Sequence, residues 1–289
     1  MDTQNLAAFL LVAETGSFSL AAEKLHLTQP AVSKRISLLE QQLEAELFDR
    51  IGRNISLTES GKALLPHARA VQQALQAARQ SVRDLSGEVG GQLRLATSHH
   101  IGLHRLPPVL SNFSQAYPGA HIDIDFMDSE QAYELILQAK AELAVVTLAP
   151  TRDAKLVTLP VWPDPLDFMV ARHHPLAGHR KLELSTLSAY PAVLPGLNTY
   201  TGQIVARLFE QRGVDLQVSM ATNYLETIRM MASVGLGWTV LPRSMADDSL
   251  VTLRPHSAGI SRTLGIVYHQ GRSLSRAALA FIEVVQAAA

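Results

Sequence analysis

Cysteine is missing from this chain of 289 residues, so disulfide bonds and thiolate metal sites are excluded. Long apolar runs are missing near its start, because the stretch from Leu6 to Ala13 is too short to span a bilayer and the opening MDTQN has no basic signal-peptide region. We therefore expect a soluble, cytoplasmic protein with no membrane partner. The motifs GxSxG, GxGxxG and HExxH and the phosphate-binding P-loop are missing too, which argues against an enzyme.

Two short helical patterns lie one tight turn apart in residues 17–43. Thr28 is the predicted N-cap of the second helix, and Pro30 lies in its first turn, where a missing N–H costs nothing. Such a pair is typical of a helix-turn-helix, whose second helix enters the major groove of DNA. A helical hairpin without a DNA role is the alternative. Apolar residues repeat at helical intervals in both patterns: Leu20, Ala21 and Leu25, then Ala31, Val32, Ile36, Leu39 and Leu43.

Polar residues at the start of the second helix are the predicted DNA contacts. Gln29 and Pro30 would meet base edges, and the basic residues would hold phosphates. The segment LFDRIGRNISLT predicts a two-stranded wing with its tip at the DNA backbone, or an ordinary hairpin loop. The complete predicted set is Thr28, Gln29, Pro30, Ser33, Lys34, Arg35, Arg50 and Arg53.

An excess of positive charge is missing, although nucleic-acid binders usually have one. The formal net charge is −1, and residues 1–58 contain five Lys or Arg against seven Asp or Glu, a formal charge of −2. DNA affinity must then come from where the positive charges lie. We expect that one copy binds weakly and that several copies act together.

A helix is predicted from Thr58 to Leu85, interrupted only by Pro66. Its apolar residues recur with alternating spacings of four and three, which is typical of a coiled-coil seam with a second copy. A helix lying on the following domain of the same chain is the alternative. The predicted seam consists of Leu64, Ala68, Val71, Leu75, Ala78, Val82 and Leu85.

Strand and helix patterns alternate after Gly87, Gly90 and Gly91. This alternation predicts βαβ units and a parallel sheet. The predicted strands are Leu93–Thr97, Ile122–Phe126, Leu143–Leu148, Leu216–Thr222 and Thr263–Tyr268. The predicted helices are Ile101–Gln115, Glu130–Lys140, one after Thr201, Leu225–Val234 and Ser273–Gln286.

The run AAEKLHLTQPAVSKRISLLEQQLEAELFDR, followed by LTESGKALL, resembles the winged helix-turn-helix of LysR-type transcriptional regulators. The phrases RHHPLAGHRKLELSTLSAYP and SVGLGWTVLP resemble the effector domain of the same family. The resemblance implies an α/β fold: a winged helix-turn-helix (1–58), a linker and dimerisation helix (59–89), and an effector-binding domain (90–289) like type 2 periplasmic binding proteins. Its lobes would be about 90–162 with 266–289, and about 163–265. The implied partners are double-stranded operator DNA, a small effector, further copies in a homotetramer, and RNA polymerase.

Two polar loops are the predicted effector site. Thr97, Ser98, His99 and His100 precede one helix, and the loop 198–201 precedes the corresponding helix of the other lobe. Hydroxyl and backbone N–H groups at helix starts suit a carboxylate, although plain helix capping is the alternative. Family members place effector contacts at positions matching Ser98, Thr147, Asn198, Thr199 and Tyr200.

The histidines in the first loop depart from the family pattern. Neutral or charged imidazoles at His99 and His100 would favour an acid, and one of these rings would pair with a second carboxylate or with a hydroxyl. The phrases LATSHHIGLHRLPPVL and NYLETIRMM resemble a subgroup often associated with leucine biosynthesis genes, so a leucine-pathway hydroxy acid is a candidate effector.

Clusters of histidine also raise the possibility of a metal site. His99, His100 and His104 are close in sequence, as are His173, His174 and His179, but with no HExxH or cysteine we expect no metal and no cofactor. A periplasmic solute-binding protein would explain only the second part of the chain. A ligand-responsive transcriptional regulator accounts for all segments.

Overall fold

The computed structural model describes residues 2–51, 54–84, 89–179, 182–255 and 259–289, with the backbone alone at 50, 51, 54, 73, 76, 77 and 79–84. The chain forms two compact units, Met1–Gly87 and Glu88–Ala289.

The first unit begins with three helices, and local capping sets their ends. Asp2 accepts a hydrogen bond from the Gln4 N–H (3.0 Å) at the start of the first helix, and Gly16 ends that helix with φ 61°. Ser17 caps the second helix, whereas Thr28 lies at the cap position of the third without a side-chain hydrogen bond. The helices are α1 (Thr3–Thr15), α2 (Phe18–Leu25) and α3 (Gln29–Leu43).

The apolar faces of these helices meet in one core with Phe48 of the following hairpin. Phe9 is fully buried, and its ring centroid lies 5.4 Å from that of Phe48. The hairpin strands β1 (Phe48–Ile51) and β2 (Asn54–Leu57) pair antiparallel. The predicted two-stranded segment is therefore present, and its tip at 52–53 lies outside the described residues.

Helix α4 spans Glu59–Asp84, and the packing of its first turns corrects the first part of the predicted seam. Ala68 is buried and Leu64 is partly buried, and both pack against the core of their own unit, so Ala68 cannot reach a second copy. Val71, Leu75 and Ala78 are exposed in the single chain. The side chain of Val82 and all of Leu85 lie outside the described residues.

The main sheet of the second unit has the strand order β10-β6-β11-β5-β3-β4, with β9 also paired to β6. Only part of it is parallel, which corrects the predicted parallel sheet: β3 runs parallel to β4 and β5, whereas β11, β6, β9 and β10 pair antiparallel. A separate pair, β7 with β8, is parallel. The strands are β3 (Gly91–Thr97), β4 (Ala120–Phe126), β5 (Leu143–Thr147), β6 (Leu156–Ala171), β7 (Ala192–Leu194), β8 (Val218–Ala221), β9 (Thr239–Pro242), β10 (Leu250–Leu253) and β11 (Ile260–His269).

One predicted helix is two helices in the structure. The expected helix Ile101–Gln115 is interrupted at Arg105, because Pro107 and Pro108 lack the N–H groups that would continue it. The helices of this unit are α5 (His99–His104), α6 (Leu106–Ala116), α7 (Ser129–Leu137), α8 (Leu184–Ser188), α9 (Tyr200–Gln211), α10 (Leu225–Ser233) and α11 (Arg276–Ala287).

Strands β6 and β11 run through two lobes, each with its own core. Trp162 of β6 belongs to the core of the first lobe, with Phe113 and Phe281, whereas Phe168 of the same strand packs with Trp238 in the core of the second. The predicted lobe boundaries near 162 and 265 fall inside these two strands. Among the described helices, none is long and apolar enough to cross a membrane.

Candidate functional site

The start of α3 presents the predicted DNA contacts to solvent. Thr28, Gln29, Pro30 and Lys34 are exposed, and Ser33 is partly exposed. The Gln29 Nε2 donates to the Ser33 Oγ at 3.2 Å, a contact that orients the amide along the helix. This arrangement of amide, hydroxyl and ammonium groups at one helix start can form hydrogen bonds with both base edges and phosphates.

Arg35 is held by the first helix, a contact that the sequence did not indicate. Its Nη2 donates to the Gln4 Oε1 at 2.7 Å. The guanidinium retains further donors, so it can still contact a phosphate from a defined position. The side chain of Arg50 and all of Arg53 lie outside the described residues.

Two of the predicted effector contacts are closed off inside the sheet. Thr97 is fully buried, and its hydroxyl donates to the Val145 carbonyl at 2.7 Å. Thr147 is also buried, and its N–H donates to the Ser129 Oγ at 3.2 Å. Both residues are therefore buried within the second unit and form hydrogen bonds inside it.

Polar groups of the loop before α9 already form hydrogen bonds within the protein. Thr199 caps the helix: its hydroxyl accepts from the Gly202 N–H at 3.1 Å and donates to the Gly196 carbonyl at 2.7 Å. The Tyr200 N–H donates to the Glu130 Oε1 at 2.5 Å, so a carboxylate of the first lobe already occupies this helix start. Burial raises the pKa of the Tyr200 phenol to about 12. Asn198 is exposed.

The loop before α5 remains more open. Ser98 is partly exposed at the N-cap position and makes no capping hydrogen bond through its side chain. His99 is exposed, and its ring centroid lies 4.8 Å from that of Tyr224 in the other lobe and 5.7 Å from that of Phe126. The alternative in which the Ser98 side chain only caps the helix therefore does not apply.

His100 points inward and stays neutral. It is 7% exposed, and neither ring nitrogen has a hydrogen-bond partner within the described parts of the chain. Burial, followed by the positive charge of Arg262, lowers the pKa of His100 to about 3. Of the two pairings expected for His100, a charged ring with a carboxylate is therefore excluded, and a neutral ring with a hydroxyl remains.

A buried arginine that sequence reasoning missed lies beside it. The Arg262 Nε donates to the Asp164 Oδ2 at 2.8 Å and its Nη1 donates to the Thr201 Oγ1 at 2.9 Å, while Nη2 has no partner among the described residues. The Arg105 Nη2 lies 3.6 Å from the Oδ1 of the same Asp164. Extending the predicted strand Thr263–Tyr268 backward would have placed Arg262 on the inward face with Leu264.

Polar contacts join the two lobes across the cleft. The Asn223 Nδ2 donates to the Asp128 Oδ2 at 2.6 Å, and the His104 Nε2 lies 2.7 Å from the Glu226 Oε1. In the described part of the chain, the ligand atoms of His100, His104 and Glu226 form one group within 4.8 Å of one another that could hold a metal ion.

Comparison with known proteins identifies both units. Residues 3–62 match the family described as "Bacterial regulatory helix-turn-helix protein, lysR family", and residues 86–289 match the "LysR substrate binding domain". The chain belongs to the LysR family. It is thus a LysR-type, DNA-binding transcriptional regulator with an effector-binding domain, and it is not an enzyme.

LysR-type relatives match over most or part of the chain. The RuBisCO operon transcriptional regulator of Allochromatium vinosum is 29% identical over 290 residues, covering 99% of this chain and 95% of the relative. An uncharacterised HTH-type transcriptional regulator in the ibpB-leuC intergenic region of Azotobacter vinelandii is 63% identical over 108 residues, covering 37% of this chain and 75% of the relative.

A solved structure supports the same fold. Full-length CbnR complexed with its target DNA matches with a TM-score of 0.69 and 21% identity, covering 100% of both chains. At this identity, the likeness extends to the fold alone.

Proposed function

We propose that this LysR-type regulator responds to a small carboxylate bound between the two lobes of its second unit. The observation that carries this proposal is the Arg262 Nη2, a buried guanidinium nitrogen without a described partner. A buried donor that is left unsatisfied costs roughly 1–3 kcal/mol, and an anionic oxygen would remove that cost through a charge-assisted hydrogen bond.

The polar side chains around Arg262 favour a ligand with one carboxylate and a polar substituent. Arg262 would hold the carboxylate, and the Ser98 hydroxyl would donate to the same ligand. A neutral His100 supplies one donor and one acceptor, which suits a hydroxyl better than a second carboxylate. His99, Asn198 and Tyr200 would line the rim, whereas Thr97 and Thr147 are left out of the contact set.

A branched hydroxy acid of the leucine pathway fits this chemistry. The Azotobacter relative is described by its position beside leuC, which agrees with the resemblance of LATSHHIGLHRLPPVL to regulators associated with leucine genes. A hydroxyl and a carboxylate would meet His100 and Arg262, and the fully buried Ile101 behind them adds apolar packing.

Response to the ligand requires a difference between two lobe arrangements. A ligand shifts the population only by as much as it binds one arrangement better than the other, typically about 1–3 kcal/mol of coupling. The change would reach operator DNA through paired α4 helices and a tetramer of effector domains, with RNA polymerase as a further partner.

The test compares two arginines that each pair with an aspartate. Arg262→Lys keeps the charge beside Asp164 but removes the forked nitrogens, and Arg243→Lys makes the same change at the exposed bidentate pair with Asp167. We expect Arg262→Lys and Ser98→Ala to weaken binding of branched hydroxy acids to the full-length protein about 10–100-fold by calorimetry, the loss of one charge-assisted hydrogen bond. Arg243→Lys should bind like the parent. Unchanged affinity in both cleft variants would reject the site.

A further inference from the structure

Helix α5 and helix α10 bring two imidazoles and a carboxylate together across the cleft. His100 and His104 are four residues apart on one face of α5, with ring centroids 4.7 Å apart. Glu226 comes from α10 in the other lobe, and its Oε1 lies 2.7 Å from the His104 Nε2. All three ligand atoms lie within 4.8 Å of one another, close enough for one ion to draw them into its coordination shell.

The donor set suits a zinc-class cation. Two histidines spaced i, i+4 with one carboxylate are a common protein ligand set for Zn²⁺, which leaves a fourth position for water. Mg²⁺ and Ca²⁺ favour oxygen ligands, so two imidazole nitrogens disfavour them. The ligand types therefore discriminate between classes of divalent ion.

The buried side chain of His100 independently supports a ligand at this cluster. Its side chain is 7% exposed, and neither ring nitrogen finds a hydrogen-bond partner among the described residues. Leaving buried polar atoms without partners is costly, and such atoms call for an explanation. A metal ion would engage one of these nitrogens.

The surroundings provide orientation and access. The Glu226 Oε2 accepts from the Arg229 Nε at 3.2 Å, an outer hydrogen bond that fixes the carboxylate. The side chains of His104 and Glu226 are 39% and 40% exposed, so an ion and a water can reach them. The nearby guanidinium groups of Arg262 and Arg105 share Asp164, whose negative charge offsets part of their repulsion of a cation.

We propose that His100, His104 and Glu226 form a binding site for Zn²⁺ or a similar borderline divalent cation that joins the two lobes. The ion would link α5 to α10 and favour the lobe arrangement in which these residues meet. Metal availability would then bias the same closure that the effector uses. This inference goes beyond effector binding and does not depend on it.

The test uses full-length protein freed of metal with EDTA, and Zn²⁺ alone without effector or DNA. We expect one Zn²⁺ per chain by calorimetry, lost in the triple variant His100→Asn, His104→Gln, Glu226→Gln. His104→Gln and Glu226→Gln alone should each weaken binding by more than the roughly 10–100-fold that loss of an outer-shell partner causes. His99→Gln, one residue away and directed toward Tyr224, is the matched control and should bind like the parent.

Coordination and folding are checked separately. X-ray absorption of the zinc-loaded parent should show two imidazole ligands, and Mg²⁺ should give no binding at the same concentrations. His104 and Glu226 are partly exposed, so metal-free melting of their variants should match that of the parent and exclude unfolding as the cause. Equal Zn²⁺ affinity in the parent and the triple variant, or no stoichiometric binding to the parent, would overturn the proposal while leaving the carboxylate site untouched.

Discussion

Adjacent imidazoles of α5 have different environments because the helix turns one outward and the other inward. His99 is exposed against Tyr224, whereas His100 is buried with its pKa lowered to about 3 from 6.5. At the residue scale, burial rather than residue type decides that His100 stays neutral at physiological pH.

His100 should make the second unit less stable in acid. The His100 imidazole binds a proton below about pH 6.5 in the unfolded chain but only near pH 3 in the folded chain. The free energy of unfolding therefore falls as the pH drops between these values. The slope from this group approaches ~1.4 kcal/mol per pH unit. Urea unfolding of metal-free protein at pH 7.0 and about 5.5 can be followed by fluorescence of Trp162 and Trp238, which both lie in this unit. His100→Leu should reduce the acid sensitivity, and equal pH dependence in parent and variant would contradict the assignment.

Gln29 and Lys34 should differ in what they contribute to DNA binding. Gln29→Ala removes an exposed amide that can read a base edge, so we expect a loss of roughly 1–3 kcal/mol on the operator and little change on random DNA. Lys34→Ala removes an exposed ammonium that we expect to contact a phosphate, so binding to both DNAs should weaken and the salt slope should decrease by about 1. Fluorescence anisotropy across a salt series measures both. Equal losses on the two DNAs for Gln29→Ala would exclude base reading.

Helix α4 divides its apolar residues between two uses. Its first turns pack on the core of their own unit through Leu64 and Ala68, and its next turns expose Val71 and Leu75. At the element scale, the exposed part has the spacing of a seam between copies.

If Val71 and Leu75 form a seam between copies, Leu75→Glu should separate those copies. A carboxylate buried in an apolar interface costs several kcal/mol, enough to raise the dimer dissociation constant at least about 100-fold. Ala70→Glu adds the same charge at an exposed position of α4 outside the apolar repeat and is the matched control. Light scattering and analytical ultracentrifugation should show a smaller species for Leu75→Glu only. An unchanged assembly in both variants would mean that α4 dimerises through another face or not at all.

The two lobes of the second unit are joined by long paired strands and also by weaker polar contacts across the cleft. Strands β6 and β11 pass through both lobes and pair along most of their length. The contacts that close the cleft are mainly partly exposed polar pairs, such as Asp128 with Asn223 and His104 with Glu226. Exposed pairs of this kind contribute about 0–1 kcal/mol each. A ligand with about 1–3 kcal/mol of preference could therefore change the lobe arrangement without disrupting either core.

Local patterns in the sequence by themselves determined the helices of the first unit. Helix α1 (Thr3–Thr15) has its bounds set locally, because its apolar spacing, Asp2 and Gly16 all act within a few residues. The presence of two strands around 48–57 and the alternation of strands and helices after residue 90 also follow from local patterns, although several element bounds differ from the predicted ones. The LysR membership also came from contiguous runs of residues.

Only the tertiary structure decided which side chains meet in the cleft. Arg262 pairs with Asp164, 98 residues away, and the Tyr200 N–H meets Glu130, 70 residues away, and no local spacing encodes either contact. Strand direction was also decided at this level, because β6 and β11 return between lobes and pair antiparallel. Long-range packing likewise buried Ala68 and neutralised His100, since burial depends on what the rest of the chain places around a residue.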